Sequence, residues 1–265
     1  MSKKEVSNHN NISDESQEVL KDSEDFNILN VIKEENLIIY GKNIVKDYEI
    51  GEFIVKAVVD VSIKIKNGEF VVIKGPSGAG KTTLLNLLGG LDSPDGGTIY
   101  SFGVRISDMD QESLTTWRLM NSGFVFQNYN LISTLTSEEN IMFPLSLTGL
   151  KLDDQRERAI ELLKTLGLGE RREHLPFQLS AGEQQRVAIA RALANDPPVI
   201  LADEPTANLD KKTSEFIRDL FENLKKSDKT IIIATHDDYL ISLADKIITF
   251  DDGKIIEEKV ISNLN

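Results

Sequence analysis

No cysteine occurs among the 265 residues. A disulfide framework, a thiolate nucleophile and a cysteine-ligated zinc are therefore excluded, and a reducing intracellular compartment is permitted. Positive charge is also in short supply: 30 Lys and Arg face 43 Asp and Glu, a formal net charge of −13. No overall field draws such a chain to phosphate backbones, so general nucleic-acid binding is disfavoured. Long apolar runs are missing as well. Blocks such as Val199 to Ala202 and Ile231 to Ala234 fall far short of the ~18 residues that span a bilayer, and no membrane span of its own is expected. The opening residues Met1, Ser2, Lys3, Lys4, Glu5 and Val6 carry neither the apolar core nor the small-residue cleavage site of a secretory signal. The expected location is the cytoplasm.

What is present is an ordinary globular balance, 40% hydrophobic and 28% charged, enough for one large domain or two modest ones. Residues 1–36 stand apart: they hold nine acidic residues and four lysines and no glycine or proline. Their composition favours a solvated, mobile extension that buries too little apolar surface to order itself. The alternative is a short amphipathic helix docking through Phe26, Leu29 and Ile32, which are spaced i, i+3, i+6. From Leu37 onward short apolar blocks replace the polar tail. Leu37 to Tyr40, Ile63 to Ile65 and Phe70 to Ile73 read as strands. The continuous β-branched blocks at 199–202 and 231–234 read as parallel strands covered on both faces. Helical stripes lie between them, Ala159, Leu162, Leu163, Leu166 and then Phe216, Ile217, Leu220, Phe221, Leu224. Such alternation predicts an α/β core with a parallel sheet, closed by a hairpin around Asp251-Asp252-Gly253.

Gly75-Pro76-Ser77-Gly78-Ala79-Gly80-Lys81-Thr82 fits the phosphate-loop pattern G-x-x-x-x-G-K-[ST]. It sits between the strand ending at Ile73 and a helical run through Leu84, Leu85, Leu87 and Leu88, where that pattern has mechanical meaning. Glycines let backbone N–H groups turn inward around an anion, and the helix start adds its positive dipole end. Lys81 then supplies a point charge for the β and γ phosphates, and the Thr82 hydroxyl is placed for Mg²⁺. Downstream, the buried strand 199–202 ends in Asp203-Glu204, where parallel sheets place their ligands. Asp203 suits the metal, and Glu204 suits the attacking water. A second helix opens at Leu179-Ser180-Ala181-Gly182-Glu183. A capping box explains Ser180 and Glu183. It leaves Gly182 unexplained, because glycine in a first turn costs about 1 kcal/mol relative to alanine; a bare backbone there would admit a phosphate.

Leu179 to Gln185 resembles the signature motif of ATP-binding cassette (ABC) ATPases. The phosphate loop, Gln127 in Phe124-Val125-Phe126-Gln127, Asp203-Glu204, Asn208-Leu209-Asp210 and Thr235-His236-Asp237 follow in that family's order over about residues 37–258. Within the family, the stretches 123–131 and 202–210 and the segment around Met142 to Leu145 look like the branch of lipoprotein-releasing and macrolide-export transporters and of the division-associated ATPase. The resemblance implies an α/β fold with a P-loop NTPase core of ABC-ATPase type, an N-terminal antiparallel β portion and an inserted helical subdomain at about 128–175. Residues 37–265 would form the ATP-binding domain.

The same resemblance implies that two copies close head to tail around two ATP, each pocket completed by Ser180, Gly182 and Glu183 of the other copy. Tyr48 matches the aromatic that stacks on adenine, and Thr83 extends the phosphate loop. Gln127 matches the contact to Mg²⁺ and water, His236 the switch residue at the γ-phosphate, and Asp210 the contact across the dimer. Lys81, Gln127, Glu204 and His236 would carry catalysis, with Thr82, Gln127 and Asp203 at the metal. Ala181 departs from the family, which most often has glycine there. A transmembrane permease subunit is implied as the partner, placing the ATPase at the inner face of the cell membrane. Tyr129, Leu131, Ile132, Leu135 and Phe143 are candidates to receive its cytoplasmic helix, or else they fill the helical subdomain's core. The function expected is an ATPase driving export or extraction of a lipophilic or peptide substrate; a nucleotide-gated regulator of a membrane partner, without transport, is the alternative.

Overall fold

Strands expected as short blocks run much longer in the first part of the chain. The computed structural model describes residues 25–261. After helix α1 (25–34), β1 (Leu37–Ile50) and β2 (Phe53–Lys66) form a long antiparallel hairpin. Its base is apolar and buried, whereas Ile50, Phe53 and Ile54 at its tip are exposed. With β4 (Gly96–Ser101) and β5 (Val104–Arg105) it makes an antiparallel sheet in the order β2-β1-β4-β5.

The second sheet has the order β10-β9-β3-β8-β7-β6. Its strands are β3 (Phe70–Lys74), β6 (Ser122–Val125), β7 (Val199–Asp203), β8 (Thr230–Ala234) and β9 (Lys246–Asp251), all parallel, with β10 (Lys254–Val260) as an antiparallel edge. The uninterrupted apolar runs are explained by burial on two faces. In β8, Ile231 and Ile233 face one core while Ile232 and Ala234 face the other. The core between the two sheets takes in all four leucines of α2 (Lys81–Leu88). The opposite core is covered by α4 (Ser137–Ser146), α5 (Leu152–Thr165), α6 (Ala181–Ala192) and α7 (Lys211–Lys225). Helices α3 (Gln111–Asn121) and α8 (Asp238–Ser242) complete the chain. The α/β fold, with its antiparallel sheet and parallel core, is the one expected. Helices α4 and α5 lie between β6 and β7, within the expected helical insertion.

The amino-terminal expectation needs correction. Residues 25–34 form a helix rather than part of a mobile tail, and residues 1–24, His9 included, lie outside the described residues. The docking face is also not the expected one. Ile28 and Ile32, one turn apart, are buried against Leu37 and Tyr100, while Phe26 and Leu29 remain exposed. Only Ile32 of the predicted stripe is buried. Polar anchors fix the choice: Tyr100 donates to Asp25, which also pairs with Arg105, and Glu35 pairs with Lys64 at 2.6 Å. Burial of these two side chains, the partly buried Val31 and the polar anchors together act against the cost of ordering the helix once a sheet offers it a face.

Candidate functional site

Strand β3 delivers the chain into the phosphate loop, and α2 begins at Lys81. Gly80, just before it, has φ +100°, and a Cβ there would lie 2.1 Å from the Ala57 carbonyl oxygen. Only glycine serves at that position. Lys81 Nζ donates to the Gly75 and Pro76 carbonyls, each at 2.8 Å, so its charge is folded back over the loop. The Thr82 hydroxyl donates to Asp203 Oδ2 at 2.6 Å, joining the start of α2 to the end of β7.

Of the residues singled out from the sequence, Tyr48, Gly75, Pro76, Ser77, Gly78, Gly80, Lys81, Thr82, Thr83, Gln127, Asp203, Glu204 and His236 line one open cavity of about 910 Å³. Ala79 is buried beneath the loop. Burial pushes the Asp203 carboxyl above its ordinary range, with Glu204 adding to that; the Thr82 hydroxyl and the Lys81 charge pull the other way. Glu204 leaves the sheet with φ +45°, its N–H held by the Ala234 carbonyl at 2.8 Å. Its carboxylate accepts from Thr235 Oγ1 at 3.2 Å and lies 3.0 Å from His236 Nδ1. Tyr48 stands at another part of the wall and donates to Asp92 Oδ2 at 2.8 Å. Lys46 pairs with the same carboxylate at 3.0 Å and lies 5.4 Å from the ring centroid. Burial, reinforced by Asp92, pushes the Tyr48 phenol up.

Besides Ala79, four predicted residues do not line that cavity: Ser180, Gly182, Glu183 and Asp210. Ser180 caps α6 and Glu183 completes a reciprocal capping box. Arg171, then the Ser180 amide, draws the Glu183 carboxyl down to about 2. Gly182 is buried against Thr213 of α7. Asp210 caps α7, accepting from Thr213 N–H at 3.0 Å and from its hydroxyl at 2.6 Å. Within one copy, these four residues are structural caps and contacts.

Six lining residues went unpredicted: Ile54, Val55, Lys56 and Ala57 of β2, and Asp252 and Gly253 of the β9–β10 turn. The Asp-Asp-Gly turn was legible as a hairpin but not as a prop. Gly253 donates to the Ala79 carbonyl at 3.0 Å and accepts from Val59 at 2.8 Å. The cavity is suited to a hard divalent cation, because the Thr82 hydroxyl and Asp203 carboxylate present oxygen donors side by side. Magnesium takes few protein ligands and leaves room for phosphate and water. Among the apolar residues after Gln127, Leu131 packs against the main core, whereas Phe143 stays 47% exposed.

Residues 58–207 match the family model described as ABC transporter. An uncharacterised ABC transporter ATP-binding protein of Methanocaldococcus jannaschii is 47% identical over 223 residues, which is 82% of this chain and 95% of that one. A macrolide export ATP-binding/permease protein of Hyphomonas neptunium is also 47% identical, over 82% of this chain but 34% of its own length. A solved dimeric post-hydrolysis state of an ATP-binding cassette, bound to ADP and Pi, superposes with TM-score 0.81 and 44% identity, covering 85% of this chain and all of that one. With its phosphate loop, paired carboxylates and signature helix so arranged, the chain belongs to the ABC transporter family, as one of its ATP-hydrolysing cassettes.

Proposed function

We propose that two copies of this ATPase close head to tail on ATP, and that a separate transmembrane permease at the inner face of the cell membrane turns closing and opening into export or extraction of a lipophilic or peptide substrate. One observation carries the reading: Lys81, Thr82, Gln127, Asp203, Glu204 and His236 share a single cavity, while the start of α6, with Ser180 and Gly182, lies off it. A half-site and a separate helix start are the two pieces of a composite pocket. Likeness to a solved dimer and to macrolide export proteins supports it further.

In this reading the adenine stacks on Tyr48, a contact worth ~1–3 kcal/mol in comparable systems. The triphosphate displaces the Gly75 and Pro76 carbonyls from Lys81 and takes up its charge, with Ser77, Gly78 and Thr83 around it. Thr82, Asp203 and Gln127 would hold Mg²⁺, which neutralises charge on the β and γ oxygens when bound. Glu204 accepts a hydrogen bond from the attacking water and orients it for in-line attack, and His236 donates to the γ-phosphate. Ser180 and Gly182 of the second copy bring a helix N-terminus to the same phosphate, and its Asp210 links the two sites. The exposed Phe143, and Tyr129 two residues after Gln127, offer apolar surface to the permease.

The test is a strain lacking this chain, complemented with the wild type or with Glu204→Gln. Retention of a lipophilic or peptide compound in the deletion, reversed by the wild type alone, is the expected result. Unchanged export of every such compound together with altered cell-wall hydrolysis would replace transport by regulation.

A further inference from the structure

Helix α7 carries a basic side chain that reaches the segment behind the phosphate end of the cavity. Arg218 donates to Asp237 Oδ2 from Nε at 3.0 Å and from Nη2 at 2.8 Å. The same oxygen accepts from the Thr206 hydroxyl at 2.9 Å. The other oxygen, Oδ1, caps α8 by accepting the N–H groups of Tyr239 at 3.0 Å and Leu240 at 3.3 Å. This carboxylate is 8% exposed. Burial alone would raise its pKa; the donors Arg218 and Thr206 outweigh that and hold it below the ordinary carboxylate range.

The location of Asp237 makes the cluster more than a surface ion pair. It follows His236 directly, and its own N–H donates to Thr235 Oγ1 at 3.1 Å. That hydroxyl in turn donates to Glu204 Oε2 at 3.2 Å. Thr206, the other donor to Asp237, lies two residues beyond Glu204 and four before Asp210. One carboxylate oxygen therefore joins α7, the turn carrying His236 and the loop leaving Glu204. Arg218 is itself braced, with its guanidinium 5.7 Å from the Tyr239 ring centroid and the Tyr239 hydroxyl donating to Glu222 of α7 at 2.8 Å.

We propose that Arg218 is a positioning residue for hydrolysis: acting through Asp237, it fixes the turn that presents His236 and the loop that leaves Glu204. It does not line the cavity, and its effect falls on the reacting geometry rather than on nucleotide affinity. Small misplacements of catalytic groups are enough to lower rates by about 100-fold. The inference rests on the reading that Glu204 and His236 act at the terminal phosphate.

The experiment compares Arg218→Met, Arg218→Lys, Thr206→Val and Glu204→Gln in the full chain by steady-state ATP hydrolysis, at a temperature well below each unfolding midpoint. Arg218→Met, which keeps length and loses the donors, should lower kcat roughly 10- to 100-fold with KM for ATP nearly unchanged, and Arg218→Lys should recover most of that loss. Thr206→Val removes a donor from the same oxygen without changing charge, so it decides the question should Arg218→Met not fold. It should lower kcat several-fold at constant KM, and where both fold its effect should be less than multiplicative with that of Arg218→Met. Wild-type kcat in both Arg218→Met and Thr206→Val, or loss confined to melting temperature, would overturn the proposal. A Glu204→Gln variant with wild-type turnover would instead overturn the reading beneath it.

Discussion

Gly182 of α6 and Thr213 of α7 approach so closely that a Cβ on the glycine would sit 2.7 Å from the threonine Cγ2 and 2.8 Å from its Oγ1. Thr213 cannot step aside, because its hydroxyl and amide both engage Asp210. Glycine at this point of the signature helix is thus required by packing alone, whatever a phosphate adds. Gly182→Ala should destabilise the folded chain by about 1–3 kcal/mol through overpacking. Denaturant unfolding would check it, and an unchanged midpoint would show that α6 and α7 separate without cost.

Lys81 is the sole side-chain charge the phosphate loop places at its own carbonyls. A charge-assisted hydrogen bond is worth about 1.5–3 kcal/mol, so Lys81→Met should weaken ATP binding by roughly 10- to 100-fold. Equilibrium dialysis with labelled ATP reads this directly, and wild-type affinity would place the triphosphate elsewhere.

The parts of the site legible in the sequence are those whose geometry is local. A strand, a glycine-rich turn and a helix start succeed one another from Phe70 to Leu88, so residue spacing alone sets the phosphate loop. The pair Asp203-Glu204 was legible for the same reason, at the end of an apolar run covered on both faces. Contacts between distant segments were not. Ala57 and Gly253 reach the phosphate loop only because the hairpin tip and the β9–β10 turn fold beside it. Asp237 was read as part of a motif with His236, but nothing local announces Arg218 on another helix as its partner. Gly182 was read toward a ligand when its nearest neighbour is Thr213. The order of α1 depends on Tyr100 and Arg105, far along the chain, which composition over 1–36 does not contain.

Ile28 and Ile32 are the two buried apolar side chains by which helix α1 sits on the sheet. Replacing both Ile28 and Ile32 by alanine should release it locally, because the lost burial, about 2 kcal/mol or more per site, exceeds what a ten-residue helix supplies alone. Amide hydrogen exchange should show protection lost over residues 25–34 and retained in β7 and β8. Retained protection over α1 would mean that the Asp25–Tyr100 and Glu35–Lys64 contacts suffice.

Arg171 and Glu183 give a pH signature. The Glu183 carboxyl is held at about 2, against an ordinary value of 4.5, so its contribution is present above the unfolded-state value and lost as pH falls toward the folded one. Arg171→Met should therefore be less stable than wild type at pH 6. The gap should narrow between pH ~4.5 and ~2, as the carboxylate is protonated in both proteins. A gap that stays constant over that range would mean that Arg171 acts through packing instead.

The composite pocket is tested most directly by thiol cross-linking, since the chain has no cysteine of its own. Ser77 in the phosphate loop and Ala181 at the start of α6 are both exposed. Copies bearing Ser77→Cys and copies bearing Ala181→Cys, each also carrying Glu204→Gln to retain ATP, are mixed and treated with a short thiol-reactive linker. With ATP and Mg²⁺ the mixture should yield a covalent dimer that neither variant forms alone, and omission of ATP should abolish it. No cross-link in the mixture, or equal cross-linking within either variant by itself, would contradict a pocket shared between two copies.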